Sequence, residues 1–443
     1  MMVKRTATWL DRRFGTNAGL HYLLKKLYPD HWSFYLGEIA LYCFIVLVGT
    51  GIWLTFAFDD SEKNAYGSVL LLTDRGHPIG YLIRQVHHWS ADVFIAAILI
   101  HMCRIFFTGA FRRPRELNWM IGFTMLMLAS ITGFTGYSLP NDDLSGTGLR
   151  IAETVLLSIP FIGRWAAAVI NGGDYFPGPL LETHFYTLHV YFLPIAIAGL
   201  LGLHLFLIVY QKHTQFTRDP HHVVGRRFWP DYTLRTVAVL GATIAVLILL
   251  ASLFEINPVQ TYGEYHPWIV PNPAEPDWYA AFLDGALRLG PATEWRFWGH
   301  PIPPVFWPGV VLPGITYVVL LLWPFIDERL RRDTRHHDVL EPATTVPWRV
   351  GVGAAFIFEG ILLTIAAGDD QIAAGMHLRL EVLVYVLRVL LLVGPIVTFF
   401  VARAAAAQIH EEQEDRERYP SPNATTLVRN ERGGYDEEEP QPV

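Results

Sequence analysis

The stretch RQVHHWSADVFIAAILIHMCR, residues 84–104, decides the fold class, because it is apolar and long enough to cross a bilayer yet contains three histidines. About 20 mainly apolar residues make one membrane-spanning helix. Ionisable side chains inside such a segment are costly to hold in lipid and usually serve a function. The stretch therefore predicts a transmembrane helix that carries polar chemistry inside the membrane.

The whole chain has the composition of an integral membrane protein. Of its 443 residues, 52% are hydrophobic and 17% are charged, against roughly 25% charged residues in soluble domains. Eight apolar segments predict an all-α protein with eight transmembrane helices. They lie at 35–58, 83–107, 119–138, 186–210, 234–254, 304–325, 348–367 and 381–402. GRWAAAVI at 163–170 and DWYAAFLDGALRL at 277–289 predict short surface helices between them.

Lys and Arg predict the orientation of these helices. They are concentrated in the N-terminal segment and in the loops 108–118, 211–233 and 326–347, whereas the alternate loops hold fewer. Because cytoplasmic loops carry the excess of positive charge, both termini are expected in the cytoplasm. The long connections 139–185 and 255–303 are then expected outside.

Helical phase separates the histidines of two segments into matched pairs. A helix advances about 100° per residue, so His87 and His101, 14 steps apart, project within about 40° of each other. His88 points to nearly the opposite side of the same helix. In the fourth segment His189 and His204, 15 steps apart, lie within about 60°. Each helix therefore presents two histidines on one face, separated by about 21–23 Å along its axis.

Both helices run inward in the predicted orientation, so His87 is expected to face His189 near the outer surface and His101 to face His204 nearer the cytoplasm. Two imidazoles on opposite sides of a haem give a six-coordinate iron that is suited to electron transfer. A single histidine in an apolar helix is more often a hydrogen-bonded structural residue. Four with matched spacing favour two haem b groups, and the carboxylates or cysteines of a zinc or di-iron site are missing around them.

Glycines repeat the spacing of the histidines. Gly37 and Gly51 in the first segment, and Gly122 and Gly136 in the third, are each 14 residues apart. Glycine lets a bulky group approach the backbone, so these positions are expected to flank the two haems. The alternative is helix–helix packing through small residues, which is common in membranes.

Two arginines lie close to the predicted iron ligands. Arg84 precedes His87 by three residues, and Arg104 follows His101 by three. Each is expected to bind the anionic propionates of its haem. Arg104 has the alternative of reaching the lipid headgroups with a long side chain.

The sequence resembles the cytochrome b family, the haem and quinone subunit of cytochrome bc-type complexes, from about residue 31 to 402. The resemblance rests on RQVHHWSADVF…HMCR, GFTGYSLP, SIPFIG, LHVYFLP…LHLF and EPDWY. HWSFYLGEIALY, QKHTQF and PDWY are similar to actinobacterial members. The resemblance implies a quinol-oxidation site on the outer side, with Asp277, Tyr279 and Tyr137 in the pocket and SGTGLRI at 145–151 along its wall.

Asp277 stands where the family usually has a glutamate in a PEWY element. The resemblance implies that its carboxylate accepts a proton from the quinol hydroxyl. An aspartate at this position can also cap the short helix that begins at Trp278, and the two roles are compatible.

Two departures from the family concern the two ends of the electron path. His184 stands where an arginine is usual near the outer haem, which replaces a permanent charge by one that depends on pH. At the cytoplasmic quinone site the usual Lys-Asp is replaced by Arg235 and Thr236. Glu38 is a candidate for the missing acid, and it could equally pair with Arg104 or Lys26.

The resemblance implies a complete function. A transmembrane cytochrome b oxidises quinol outside, and electrons cross through two haems to a quinone site at the cytoplasmic face, which helps to build a proton gradient. The expected domains are a cytoplasmic segment with a surface helix (1–34), a dihaem four-helix bundle (35–233), a C-terminal four-helix part with the quinol-site loop (234–402) and a disordered cytoplasmic tail (403–443).

The same resemblance implies the cofactors, partners and location. The cofactors are two haem b groups and a quinone, expected to be menaquinone. The partners are a Rieske iron–sulphur protein and a c-type cytochrome subunit in a homodimeric complex of the bacterial plasma membrane. A terminal oxidase is a further candidate partner, and no nucleic acid is expected. A dihaem anchor of a dehydrogenase or hydrogenase would leave helices five to eight and PDWY unexplained. A transporter would leave the matched glycine spacing and the two histidine pairs unexplained.

Overall fold

The computed structural model describes residues 31–61, 63–214, 225–269, 276–297 and 299–418, with shorter stretches at 9, 11–13, 24, 26–29, 426–429 and 435–438. Helices make up most of these residues, and the strands are short antiparallel pairs. The helices are α1 (Tyr35–Leu54), α2 (Ala65–Thr73), α3 (Pro78–Phe107), α4 (Glu116–Ser138), α5 (Asp143–Leu157), α6 (Gly163–Asn171), α7 (Leu181–Thr187), α8 (Leu193–Gln211), α9 (Thr233–Leu253), α10 (Val259–Tyr262), α11 (Trp278–Leu289), α12 (Leu312–Leu321), α13 (Trp323–Arg331), α14 (Pro347–Ala367), α15 (Asp369–Gly375) and α16 (Leu380–Arg418).

The strands pair as β1 with β2, β3 with β4, and β5 with β6. Their bounds are β1 (Leu27–Tyr28), β2 (Arg226–Arg227), β3 (Trp295–Phe297), β4 (His300–Ile302), β5 (Thr426–Arg429) and β6 (Tyr435–Glu438). π-helical turns at Leu188–Phe192, Phe228–Tyr232 and Trp307–Val311 lead into α8, α9 and α12, and short 3₁₀ turns lie at Trp32–Phe34 and Ala343–Thr345.

Seven helices of the described chain are long and apolar enough to cross a membrane. They are Trp32–Leu54, Pro78–Phe107, Glu116–Ser138, Leu181–Gln211, Phe228–Leu253, Pro347–Ala367 and Leu380–Asp415. The predicted segment 304–325 takes another form: Trp307–Leu321 and Trp323–Arg331 meet at 62°, and counting this bent pair as one span would give eight. The chain is an all-α, multi-pass membrane protein.

Pro324 explains the bend in this segment. A proline inside a helix removes one backbone donor and its ring clashes with the carbonyl four residues earlier, here that of Leu320. The Leu320 carbonyl therefore lacks its usual helical donor. Nε1 of Trp119 donates to this oxygen instead, at 2.7 Å. The sequence thus contains both the proline that bends the helix and the tryptophan that satisfies the freed carbonyl.

The helices pack around α3. It contacts α1, α4 and α9, while α4 packs on α8, and α14 packs on both α16 and α11. The core at this junction holds buried residues from five helices: Ala40, Cys43, Phe94, Ile95, Ala97, Ala129, Leu247 and Tyr279. Through this core the histidine-bearing α3 and the start of α11 have fixed positions relative to each other.

The C-terminal helix is longer than the sequence predicts. α16 continues to Arg418, sixteen residues past the boundary expected at 402, so the first part of the predicted disordered tail is helical. The run Ala404–Ala407 has the highest helix propensity. Side-chain contacts four residues apart, Gln408 with Glu412 and His410 with Glu414, support the continuation. Of the remaining tail, only β5 and β6 belong to the described residues.

A buried ion cluster joins loop 108–115 to the second half of the chain. Glu341 accepts hydrogen bonds from Arg112 at 2.6 Å, Arg331 at 2.8 Å and Arg349 at 2.9 Å. Arg349 is 1% exposed and also binds Asp327. Burial opposes the charge of Glu341, but the hydrogen bond from Arg331 and the charges of Arg112 and Arg349 outweigh it and lower the pKa of this carboxyl to about 2.

Candidate functional site

His87 and His189 face each other inside the protein and form the first histidine pair. Their ring centroids are 6.2 Å apart, with an angle of 71° between the ring planes. Both rings line a mainly apolar cavity of about 400 Å³, called the first cavity here. The rings are separated across this space rather than stacked against each other, so a group bound between them would meet an imidazole on each side.

Hydrogen bonds fix the tautomer of both rings. The hydroxyl of Thr50 donates to the Val46 carbonyl at 2.7 Å, so it accepts from Nδ1 of His87 at 2.9 Å. Nδ1 of His189 donates to the Thr132 carbonyl at 2.8 Å. A neutral imidazole that donates from Nδ1 keeps a lone pair on Nε2. Both rings therefore present Nε2 as a metal ligand, held in orientation by the second nitrogen.

His101 and His204 form the second histidine pair. Both line the second cavity, of about 460 Å³, which also contains Glu38 and Arg104. Within the described residues, Nδ1 of His101 and Nδ1 of His204 are both buried without a hydrogen-bond partner, and the backbone of Asn118 lies close to the His204 ring. The structure thus places the four predicted ligands in the two pairs that helical phase predicts.

Each of the four spaced glycines lies against one of these histidines. A Cβ at Gly51 would lie 3.2 Å from Cε1 of His87, and one at Gly37 would lie 3.2 Å from Cε1 of His101. On α4, Gly122 would bring a Cβ to 3.7 Å from Cε1 of His204, and Gly136 would bring one into direct conflict with the ring of His189. The glycines therefore leave space for the imidazole rings, and for a bulky group that these rings would bind.

The π-helical turn at Leu188–Phe192 explains why His189 and His204 are 15 residues apart along the chain, whereas His87 and His101 are 14 apart. A π turn takes up one extra residue within an α-helix and is frequent at functional sites. His189 lies in this turn and His204 in α8, whereas His87 and His101 share the regular helix α3. The π-helical turn takes up the extra residue between His189 and His204. As a result His189 can face His87 and His204 can face His101.

The two predicted arginines lie at the edges of the cavities. Arg84 is 9% exposed; its Nη2 donates to the Asn257 carbonyl at 2.9 Å, and its Nη1 is buried without a partner among the described residues. The guanidinium of Arg104 lies over the ring of Phe34 at 4.1 Å and lines the second cavity. Facing imidazoles, adjacent glycines, apolar walls and a buried guanidinium at the edge together fit a haem in each cavity.

Asp277 opens onto the first cavity. It occupies the N-cap position of α11, but its side chain makes no capping hydrogen bond. Its carboxylate instead accepts from the Tyr279 hydroxyl at 3.2 Å and lies 3.2 and 3.3 Å from Nε2 of His88. The carboxylate is thus turned toward the cavity and its polar neighbours rather than toward the backbone of its own helix.

Tyr279 and Tyr137 line the same cavity as Asp277. Tyr279 is 7% exposed and lies against Gly133 of α4, where a Cβ would meet the hydroxyl oxygen at 2.5 Å. Burial, together with the charge of Asp277, raises the pKa of the Tyr279 hydroxyl well above its ordinary value. The hydroxyl therefore stays protonated and donates its proton to the Asp277 carboxylate at the cavity wall.

His88 and Asp92 are functional candidates whose place the sequence does not reveal. Helical phase predicts only that His88 points away from the haem face, into a helix contact or a hydrogen bond. In the structure it reaches Asp277, which is 189 residues away in the chain. Asp92 lies one turn further along α3 and approaches the same carboxylate. The spacing of four between His88 and Asp92 indicates a shared face, but only the tertiary structure brings Asp277 to it.

Glu38 lies in a group of hydroxyls at the second cavity. Its carboxylate accepts from the hydroxyls of Tyr232, Thr236 and Tyr42, rather than from the Arg104 or Lys26 side chain considered from the sequence. The hydroxyl oxygens of Tyr42 and Thr236 are 2.6 Å apart, so one of these hydroxyls can donate to the other instead of to Glu38. Arg235 is exposed and is not part of the cavity wall, so Thr236, and not Arg235, accompanies Glu38 there.

His184, expected near the outer haem, lies outside the wall of the first cavity. Its Nδ1 is 2.8 Å from the Ile170 carbonyl, so this ring joins α7 to the end of α6. The residues 145–151 fall within α5, and Gly148 of this helix packs against Tyr137.

The fold and site define a class: a multi-pass helical membrane protein with two facing histidine pairs, one above the other between the same two helices. Comparison with known proteins gives the family. Residues 92–264 match the family model described as cytochrome b (N-terminal)/b6/petB. The chain is 41% identical to the cytochrome b subunit of the cytochrome bc1 complex of Mycobacterium leprae over 423 residues, which covers 90% of this chain and 76% of the relative.

Other relatives and one solved structure agree. The corresponding subunit of Streptomyces coelicolor is 37% identical over 436 residues, covering 93% of this chain and 79% of the relative. A chain of a hyperthermophilic respiratory Complex III has the same fold, with a TM-score of 0.64 at 22% identity, over 90% of this chain and 99% of that one. The chain therefore belongs to the cytochrome b family, the transmembrane, haem- and quinone-binding subunit of respiratory, proton-translocating quinol:cytochrome c oxidoreductases.

Proposed function

We propose that this cytochrome b holds two haem b groups, one at each histidine pair, and oxidises quinol at Asp277. The observation that carries the proposal is the continuity of the first cavity, whose wall includes His87, His189, Asp277 and Tyr279. A quinol bound there would have an electron acceptor and a proton acceptor in one space. Haem at the two pairs supplies one-electron carriers at two depths of the membrane.

Each residue of the first cavity has its own role in this proposal. His87 and His189 would hold the haem iron through Nε2, and Nη1 of Arg84, which has no partner among the described residues, would bind a haem propionate. The Asp277 carboxylate accepts the proton of the quinol hydroxyl, and the Tyr279 hydroxyl positions the substrate oxygen. Tyr137, between Gly148 and the cavity, closes the wall of the pocket.

At the second cavity His101 and His204 act as ligands, with Arg104 at the edge. We assign the inner quinone site to the same cavity, where the Glu38 carboxylate and its three hydroxyl partners stand in for the missing aspartate. Arg235 was the second residue predicted for this site, and its exposed position limits it to the entrance. Quinone reduction there takes up protons, so Glu38 is the group placed to deliver one.

The sidedness and the assembly complete the proposal. With eight spans, counting the bent segment as one, both termini lie in the cytoplasm of a bacterial plasma membrane, and the first cavity lies on the outer side. Residues 35–233 then form the dihaem four-helix bundle and 234–402 the C-terminal four-helix part. A Rieske iron–sulphur protein receives one electron and passes it to a c-type cytochrome subunit. Menaquinone, a homodimeric complex and association with a terminal oxidase follow the resemblance to actinobacterial members.

The test is the activity of the purified complex after one substitution. Asp277→Asn removes the proton acceptor but keeps the size of the side chain. We expect quinol:cytochrome c reductase activity to fall by about 10²–10⁴-fold, with both haems retained in the reduced spectrum. Wild-type activity in this variant would refute the role of Asp277.

A further inference from the structure

The helix that follows Asp277 is held at its far end by charged side chains. Arg288, in the last turn of α11, donates from Nε to Asp284 and from Nη1 to Asp369, both at 2.8 Å. The same Nη1 lies 3.1 Å from Asp370. Asp284 belongs to α11 itself, whereas Asp369 and Asp370 begin α15, just beyond the end of the membrane helix α14. Arg288 therefore joins the end of α11 to the corner between α14 and α15.

A second arginine binds the same end of α11. Arg388 of α16 donates from Nε to the Leu289 carbonyl and from Nη2 to the Gly290 carbonyl, both at 3.1 Å. Carbonyls at the C-terminus of a helix lack donors inside the helix, and positive charge is favourable there. Nearer the middle of α11, Gly285 lies so close to α14 that a Cβ would conflict with the Leu363 carbonyl. The C-terminal half of α11 is thus fixed to α14, α15 and α16.

Arg288 supplies the positive charge that its three carboxylate neighbours need. In the described part of the chain it is the one arginine or lysine paired with Asp284, Asp369 and Asp370. The side chains of Asp284 and Asp369 are only 12% and 6% exposed, so removal of the cation would leave buried charge without a partner. The guanidinium is also a rigid planar fork, which holds two carboxylates at set distances and angles at once. A lysine would keep the charge but lose this geometry.

The other end of the same helix presents Asp277 to the first cavity. Its carboxylate makes no capping hydrogen bond, so its position depends on where α11 lies. Apolar packing has no preferred direction, whereas hydrogen bonds between charged groups fix distance and angle. A rigid helix passes a shift along its axis from one end to the other. α11 has 12 residues, which is about 18 Å at 1.5 Å per residue. Displacement of a reacting group by about 1 Å can slow a reaction by about 10²-fold.

We propose that Arg288 and Asp369 are positioning residues for quinol oxidation. They set where α11 lies along its axis, and so where the Asp277 carboxylate meets the quinol. Neither residue lines the first cavity, so both act through the helix rather than by contact with quinol. The proposal rests on the proposed role of Asp277 as proton acceptor. It predicts a slower reaction in variants of these residues, with haem binding and quinol binding intact.

The experiment measures kcat and KM for quinol in the purified complex. Arg288→Lys and Asp369→Asn are each made in the wild type and in Asp277→Asn. The control, Arg379→Lys, makes the same arginine-to-lysine change in an exposed ion pair, in which Arg379 lies 3.6 Å from Glu381. We expect Arg288→Lys and Asp369→Asn to lower kcat by about 10- to 100-fold. KM, haem content and both midpoint potentials should stay as in wild type, and the control should be unchanged throughout.

The double variants separate positioning from general stability. Asp277→Asn already lacks the proton acceptor, so neither Arg288→Lys nor Asp369→Asn should slow it further. A general loosening of the protein would instead multiply the two losses, because it would act independently of the carboxylate.

Two results would overturn the proposal and leave the role of Asp277 intact. One is a kcat within about tenfold of wild type in both single variants; the other is a loss that multiplies with that of Asp277→Asn. Wild-type activity in Asp277→Asn alone would refute the role of Asp277, and the positioning proposal with it. If Arg288→Lys does not assemble, Asp369→Asn, which keeps the guanidinium and its bond to Asp284, decides by the same measurements.

Discussion

Replacement of Gly136 by alanine should damage the first histidine pair, whereas the same replacement at Gly122 should be tolerated. Both glycines lie on α4 and both face a histidine. A Cβ at Gly136 would conflict with Cε1 of His189 and lie 2.9 Å from its Nδ1, whereas a Cβ at Gly122 would lie 3.7 Å from Cε1 of His204, an ordinary contact. The two variants thus compare the same substitution at two positions of one helix.

The size of the expected effect depends on whether the His189 ring can move away from an added Cβ. His189 cannot retreat freely, because its Nδ1 is bonded to the Thr132 carbonyl at 2.8 Å. Overpacking of a close-fitting site costs about 1–3 kcal/mol, which corresponds to about 5- to 150-fold weaker retention of a group bound at that histidine. At Gly51 and Gly37 the Cβ distance of 3.2 Å predicts an intermediate effect.

The assay is the haem content of each purified variant, measured by a haemochrome spectrum together with a redox titration. We expect Gly136→Ala to lose or shift the component of the first pair, and Gly122→Ala to keep wild-type content and potentials. Equal behaviour of the two variants would show that glycine at 136 does not make room for the ligand, and greater damage at 122 would reverse the reasoning.

Further predictions concern other residues of the structure. His88→Leu should keep both haems and lower quinol oxidation, because this ring contacts Asp277 and it is His87, not His88, that faces His189; loss of a haem would contradict the assigned ligands. Asp277→Glu should retain most of the activity that Asp277→Asn loses, which the same reductase assay decides. Glu341→Gln should lower the unfolding free energy by about 3 kcal/mol, because buried arginines lose their partner; an unchanged thermal midpoint would speak against this. The depressed pKa of Glu341 adds stability that is complete above its ordinary value of 4.5 and is lost as pH falls toward about 2, so Glu341→Gln should flatten acid unfolding in that window.

Much of the site follows from the sequence because it depends on local periodicity. The placement of His87 with His101 follows from about 100° per residue along one helix, whereas His189 and His204 also need the π-helical turn at Leu188–Phe192, which that rule does not predict. The glycine spacing on α1 and α4 obeys the same rule. Identifying seven membrane helices needs only length and hydropathy.

What the sequence does not reveal depends on contacts between distant elements. The approach of Asp277 to His88 requires the packing of α11 against α3, and the hydroxyls around Glu38 come from α1, the turn before α9 and α9 itself. The bend near Pro324 is a proline effect that hydropathy averages out. The helix that continues to Arg418 follows propensity, which the charged composition of the tail obscured.

The central claim, two haems held by two histidine pairs, is tested most directly by the haem-to-protein ratio of His87→Leu and His101→Leu beside wild type, with a redox titration of each. The claim predicts two haems and two resolved midpoints in wild type, and one haem in each variant, with a different midpoint surviving in each. A single haem in wild type, or loss of the same component in both variants, would contradict it.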